Sequence, residues 1–101
     1  MNIMQIMKQA QNVQAKLKES QKQLADMELM GEAGSGAVKI ICDGQGKFKS
    51  IKLDSAALSI SSENAEELED LISVAMKQAS DKASKEMESK MKAATGGLNI
   101  P

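Results

Sequence analysis

The chain has 101 residues, a length that suits a single domain, and its 13 basic and 14 acidic residues give a net charge of -1. Every basic residue is a lysine, and the chain has no histidine, tryptophan or tyrosine, one phenylalanine and one cysteine. This composition excludes histidine-based acid–base catalysis, His/Cys metal sites and aromatic platforms for nucleobases, so we expect no metal and no cofactor. The apolar fraction of 42% is typical of a folded chain.

Charge is distributed unevenly along the chain. Both ends are basic, whereas residues 55–75 contain five acidic residues and no lysine. A near-neutral total therefore does not exclude a polyanionic partner at the ends, because only charges within about a Debye length of a phosphate matter. The first residues lack the apolar run of a signal peptide, and no stretch approaches the ~20 apolar residues of a membrane span. We expect a soluble, cytoplasmic protein that makes no membrane contact.

Residues 2–30 are predicted to form one long helix that ends at Gly31. Apolar residues occupy seven of eight a and d positions over four heptads, and neither Gly nor Pro interrupts the pattern. So narrow a seam suits a helix that packs against another helix, either within the subunit or in a second one. The candidate dimer or helix seam residues are Ile3, Ile6, Ala10, Val13, Leu17 and Leu24.

Residues 28–54 change to the two-residue period of strands. Two β-branched segments, 37–43 and 47–53, flank Asp43-Gly44, which is predicted to supply the positive φ values of a tight hairpin turn. Residues 29–33 are a candidate first strand that turns at 34–36. The pattern predicts a two- to three-stranded antiparallel meander.

Two side-chain patterns refine this meander. Phe48 is out of phase with Ile51 and Leu53, which predicts a bulge near Lys49-Ser50. Cys42 alternates with apolar neighbours and is predicted to lie in the core rather than to serve as a reactive thiol.

Residues 54–62 are predicted to connect the sheet to a second long helix over about 62–94. A short helical turn at 56–58 is possible within the connector, and Asn64 followed by Glu67 has the form of a capping box. The distal half of the second helix is thinly apolar, so it is either a projecting arm or a loose partner of the first helix. Residues 96–101 are predicted to be a short tail.

Five segments carry a resemblance to a known family: Met7–Gln11, Gly31–Lys39, Asp43-Gly44, Ile51–Asp54 and Glu67–Leu71. In this order, over roughly residues 4–92, they resemble the YbaB/EbfC family of bacterial nucleoid-associated proteins. The resemblance implies one α-β-β-β-α domain over residues 1–101, of the α+β class, that forms a tweezer-like homodimer. It also implies DNA binding that alters DNA conformation, roles in nucleoid organisation and gene regulation, and a place in the nucleoid. The chain departs from the family pattern in its short tail and its lack of arginine.

Together these features predict a protein that binds double-stranded DNA through lysine–phosphate contacts on helical arms. Each lysine could instead belong to a solvated helix face or an i,i+4 ion pair, and Lys39, Lys47, Lys49 and Lys52 form a second basic cluster. Lysine lacks the planar fork that reads guanine, so sequence readout should be weak. The candidate phosphate-binding residues are Lys8, Lys18, Lys22, Lys82, Lys85, Lys90 and Lys92.

Two other functional classes compete with this hypothesis. A homodimeric protein-interaction module could use the same helical arms with no role for nucleic acid. An enzyme that acts on a small-molecule substrate is a more distant alternative, because no nucleophile and base can be paired in the sequence.

Overall fold

In a computed structural model that describes residues 2–94, the chain runs helix, three strands, then two helices. The strands form one antiparallel sheet in the order β1-β2-β3, which confirms the predicted α+β architecture. The predicted tail, residues 96–101, lies outside the described residues. The elements are α1 (Ile3–Asp26), β1 (Leu29–Ala33), β2 (Val38–Cys42), β3 (Phe48–Leu53), α2 (Ser55–Glu63) and α3 (Ala65–Ala94).

Helix α1 is capped at its start and shorter than predicted at its end. The Asn2 side chain accepts a hydrogen bond from the backbone N–H of Met4 at 3.2 Å, which satisfies one free donor of the first turn. The helix ends at Asp26 instead of about residue 30, and Gly31 lies within β1 rather than terminating the helix. The reason is long-range strand pairing: Leu29 pairs with Cys42, which holds this segment in the sheet.

The first turn of the sheet uses glycine as predicted, and the second does not. At the first turn Gly34, Ser35 and Gly36 all have positive φ, as the turn prediction requires. At the second turn the positive φ belongs to Gly46 and not to Gly44. A side chain at Gly44 would collide with Leu24, because a Cβ there would lie 2.8 Å from Leu24 Cδ2. Gly44 is therefore needed for close approach to α1.

The predicted bulge is present in β3. Ile41 pairs with Ser50 while Cys42 pairs with Phe48, so Lys49 is the extra residue. This insertion puts Phe48 on the same face of the sheet as Ile51, which pairs with Ile40.

Helix α3 crosses β1 and β2 through small residues. Ala75, Ala79 and Ala83 are buried against the core side of β2, where Val38 and Cys42 are fully buried. Alanines let the helix lie close to the strands, and at Gly31 the two backbones approach so closely that a Cβ would lie 2.0 Å from the Ala75 oxygen. Cys42 thus has the predicted core position.

The connector between sheet and long helix is itself helical. The segment predicted as a connector forms the nine-residue helix α2. Asp54 Oδ1 accepts from the N–H of Ala57 at 3.1 Å, an N-cap interaction that starts this helix, and Ala57 is buried in the core. Helix α3 begins at Ala65, where Asn64 Oδ1 accepts from the N–H of Glu67 at 3.3 Å, so Asn64 caps the helix as predicted.

Helices α1 and α3 pair in antiparallel directions. Lys90 near the end of α3 donates to Gln23 Oε1 at 2.9 Å, and Ala93 lies in a shared cleft with Lys16. From Lys16 to Ile3, helix α1 extends about 20 Å further, past the last described turn of α3. The distal half of α3 is therefore a partner of the first helix, and it is the N-terminal half of α1 that projects.

Candidate nucleic-acid interface

The candidate lysines of α1 lie on one exposed face of the helix, with Lys8 in its projecting half and Lys18 and Lys22 in the half that pairs with α3. Lys8, Lys18 and Lys22 fall within an arc of about 80° at 3.6 residues per turn. All three side chains are exposed, and none forms an ion pair with another described residue. This face can therefore offer three ammonium groups to one anionic partner.

The candidate lysines of α3 are not equivalent. Lys82 Nζ donates to the Met30 carbonyl at 2.6 Å, and Lys90 is engaged with Gln23 as described above. Lys92 Nζ lies 3.5 Å from a carboxylate oxygen of Glu88, an exposed i,i+4 pair. Within residues 2–94 only Lys85 of this group has no polar partner. Asp81 lies four residues before Lys85 but pairs with Lys77 instead, at 3.1 Å.

The acidic segment does not neutralise these lysines. Glu66 and Glu67 lie in the first turn of α3, where they complement the positive end of the helix dipole. Lys85 is about 27 Å from Glu67 along the helix axis at 1.5 Å per residue. That separation exceeds three Debye lengths at physiological ionic strength, each about 8 Å. The acidic first turn of α3 therefore does not screen Lys85.

The seam predicted for α1 is covered over only part of its length. Leu24 is buried, Val13 and Leu17 are half-buried, and Ala10 is exposed. Towards the N-terminus the seam is bare, because 49% of Ile6 and 73% of Ile3 is exposed. Met4 and Met7 are exposed beside them. The projecting part of α1 thus carries an apolar tip next to its lysine face.

The two edges of the sheet differ in a way that the sequence did not reveal. At the β1 edge, α3 supplies side-chain partners to the backbone: Gln78 Oε1 accepts from the Glu32 N–H at 3.1 Å, and Lys82 donates to Met30. These contacts block further strand pairing at that edge. No side chain of the described residues bonds to the outer edge of β3, and all six β3 residues are exposed.

Helix α3 leaves an open apolar groove beside β3. The groove is lined by Phe48 and Ile51 of the strand and by Ile72 and Met76 of the helix. Phe48 is 48% exposed and Ile51 50%, although both face the side of the sheet on which α3 lies. Helix α3 stops short of the third strand and leaves both side chains uncovered, which no sequence pattern indicated.

Other kinds of site are not formed by the part of the chain that the structure describes. Residues 2–94 bring together no group of three or more side chains suited to hold a metal ion. None of their helices is long and apolar enough to cross a membrane. Burial, and secondarily the neighbouring Asp43 carboxylate, raises the pKa of the Cys42 thiol, whose Sγ donates to the Ala79 carbonyl at 3.4 Å. This cysteine is protonated at neutral pH and packs in the core.

Comparisons with known proteins agree on one family. A family model described as the YbaB/EbfC DNA-binding family matches residues 1–98. A nucleoid-associated protein of Rickettsia akari is 39% identical over 100 residues, which cover 99% of this chain and 92% of the relative. Nucleoid-associated proteins of Rickettsia bellii and Rickettsia rickettsii are 38% and 37% identical over the same shares. An uncharacterized protein of Helicobacter pylori has the same fold, with a TM-score of 0.83 at 14% identity over 95% of this chain and 99% of that one.

Proposed function

Because the chain belongs to the YbaB/EbfC DNA-binding family, we propose that it is a nucleoid-associated protein that binds double-stranded DNA. The names of its Rickettsia relatives support the same role and a place in the nucleoid of the cytoplasm. The family and these names point to DNA binding and not to catalysis. The lysines of the helical arms support a specific way of holding the duplex, through its phosphates.

Contacts between lysines and phosphates supply the affinity. Lys8, Lys18, Lys22 and Lys85 are exposed, unpaired within residues 2–94 and remote from the acidic segment, so they can displace counterions from the duplex. Such contacts position a protein on DNA without reading bases. Since the chain has no arginine, it can neither read guanine with a bidentate arginine nor insert an arginine into the minor groove. The binding is therefore largely independent of sequence.

A homodimer arises at the open side of β3. The β1 edge is blocked by α3 side chains, whereas β3 presents free backbone groups and exposed Phe48, Ile51 and Leu53 beside the apolar groove. A second copy is the occupant that matches this surface, because it brings an identical edge strand and identical apolar side chains to a two-fold contact. Each subunit then adds one α1–α3 pair as an arm of a tweezer.

Two basic arms on one core give the protein a means of changing DNA shape. A duplex gripped by both arms must follow the path that the arms set, and bending within one site costs a few kcal/mol that the added phosphate contacts offset. This action accounts for roles in nucleoid organisation and in gene regulation that need no base-specific reading.

A gel-shift series at rising salt tests the lysine mechanism. Replacing Lys8, Lys18 and Lys22 together by Gln should reduce the slope of log K against log salt by about 2.7, since each phosphate contact contributes about 0.9. The matched control is Lys77→Gln, which removes an exposed lysine already paired with Asp81. Unrelated duplexes should bind alike. A wild-type affinity that ignores salt, or that depends on one sequence, would refute the mechanism.

The exposed apolar tip of α1 favours a second candidate, an interaction module that docks on another protein. Ile3 and Ile6 have no apolar cover among the described residues, as a docking helix requires. On this alternative, partner binding survives loss of the arm lysines. Lys85→Gln with Lys92→Gln is the cleaner substitution for that comparison, because Lys82 and Lys90 also hold α3 to β1 and α1.

A further inference from the structure

The face of the sheet opposite α3 is left open to solvent. Along β2 the side chains alternate: Val38, Ile40 and Cys42 are buried under α3, and Lys39 between them is exposed on the other face. The residues that share the face with Lys39 are all exposed or half-buried, so no described helix covers it. They are Met30, Glu32, Ile41, Ser50 and Lys52.

Strand register puts two lysines next to each other on this open face. Lys39 and Lys52 are direct cross-strand partners. Directly opposed side chains have Cβ atoms about 5 Å apart, and like charges in such a pair are destabilising. Glu32 lies opposite Lys39 on its other side but forms no ion pair with it, and neither lysine has a polar partner within residues 2–94. No ion pair within residues 2–94 therefore offsets the charge of either lysine.

The second basic cluster seen in the sequence is thus divided by the fold. Lys49 sits in the bulge and donates to the Met27 carbonyl at 3.4 Å. Lys47 lies in the β2–β3 turn, where its backbone N–H donates to the Asp43 side chain. Of this cluster, only Lys39 and Lys52 are brought together as an opposed pair on the uncovered face, one residue from the ends of β2 and β3.

We propose that this open sheet face is a second phosphate-binding surface for duplex DNA. A polyanion is the partner that relieves the repulsion between Lys39 and Lys52, and a duplex presents phosphates at a density that can engage both ammonium groups. The inference rests on the proposed DNA-binding function and adds a contact surface on the side of the sheet away from α3. A duplex on this face contacts a different side of the molecule from one held along Lys85.

The test compares salt dependence between matched lysine variants. In Lys39→Gln with Lys52→Gln, the slope of log K against log salt should fall by about 1.8, and affinity at 0.1 M salt should fall by about 60-fold, from two lost phosphate contacts. Each single substitution should remove about half of the slope change. Lys77→Gln, also exposed and also one charge, should leave the slope unchanged.

Two further measurements separate binding from folding. Because the substitution removes a like-charge pair, the double variant should melt at the same temperature as the wild type or higher. Lys39→Arg with Lys52→Arg keeps both charges and should keep the full salt slope. If the double glutamine variant is unstable, the single substitutions Lys39→Gln and Lys52→Gln decide the question, because each should lose about half of the slope change and a wild-type slope in both would refute the surface.

The outcomes distinguish this inference from the function on which it rests. If wild-type protein fails to bind duplex DNA at low salt, the proposed function and this surface fall together. Suppose that the wild type binds DNA and that replacing Lys8, Lys18 and Lys22 lowers the slope of log K against log salt. If Lys39→Gln with Lys52→Gln then leaves that slope unchanged, only the second surface is refuted. If Lys77→Gln lowered the slope as much as Lys39→Gln or Lys52→Gln alone, the second surface would also be refuted, since the effect would then depend on net charge and not on the position of the lysine.

Discussion

The contact between α3 and β1 at Gly31 provides the sharpest prediction about stability. A methyl group at this position would lie 2.0 Å from the Ala75 oxygen and 2.7 Å from the Ala79 nitrogen, both backbone atoms of α3. Ordinary contact begins near 3.4 Å. Helix α3 must therefore retreat by about 1.4 Å if Gly31→Ala is to fold, because helix backbone cannot turn aside as a flexible side chain does.

The magnitude follows from what this retreat disturbs. Overpacking of this kind costs about 1 to 3 kcal/mol. The same movement would stretch the 3.1 Å bond between Gln78 and the Glu32 N–H past its limit, which costs about 1 kcal/mol more. Alanine is better than glycine in a strand by about 0.5 to 1 kcal/mol, a smaller opposing effect. We expect Gly31→Ala to lower the free energy of unfolding by about 2 kcal/mol.

The assay is urea unfolding followed by far-ultraviolet circular dichroism at one fixed protein concentration, since the chain has no tryptophan or tyrosine for fluorescence. Gly46→Ala is the matched control: it has open space within 4 Å but a φ of 87°, so only backbone strain of about 1 kcal/mol opposes it. If Gly31→Ala unfolds with the wild type, or loses less than Gly46→Ala, close backbone approach does not hold α3 in place.

Three more outcomes are expected. Gly44→Ala should loosen the end of α1, because a Cβ at this position collides with Leu24 and disturbs the 2.7 Å hydrogen bond from the Gly44 N–H to the Leu24 carbonyl. Limited proteolysis should then cleave α1 faster than in wild type. In the proposed dimer the wild type has twice the 10.8 kDa mass of one subunit, and Ile51→Lys should reduce this to a single subunit, whereas Ser50→Lys, on the opposite face of β3, should not. A monomeric wild type would refute the dimer, and a dimeric Ile51→Lys protein would place the interface elsewhere. Burial raises the pKa of Cys42, so at neutral pH its alkylation in native protein should be far slower than in urea, and equal rates would contradict its core position.

Local chemistry explains why many elements could be predicted from sequence. The bulge at Lys49 follows from the phase of Phe48 against Ile51, and the start of α3 from the ability of Asn64 to accept from its own first turn. These signals depend on neighbours within a few residues, so they persist whatever the rest of the chain does. The family and its DNA-binding role could likewise be inferred from short segments in a fixed order.

Long-range contacts determine the two elements that differ from the prediction, the end of α1 and the helix α2. No Gly or Pro stops the helix before Gly31, yet pairing of Leu29 with Cys42 ends α1 at Asp26. The connector after Asp54 carried only a weak helical signal and is a nine-residue helix, because Ala57 is buried in the core.

For the candidate DNA-binding lysines, too, some features follow from the sequence and others from long-range contacts. Composition and spacing by themselves determined that the chain carries its positive charge only on lysines and places most of it on long helices, because residue type and helical period are properties of the sequence. Only the tertiary structure decided that Lys82 and Lys90 are engaged within the subunit, while Lys39 stands opposite Lys52. The reason is that strand register and helix packing join residues far apart in the chain, and those partners determine which ammonium groups stay free.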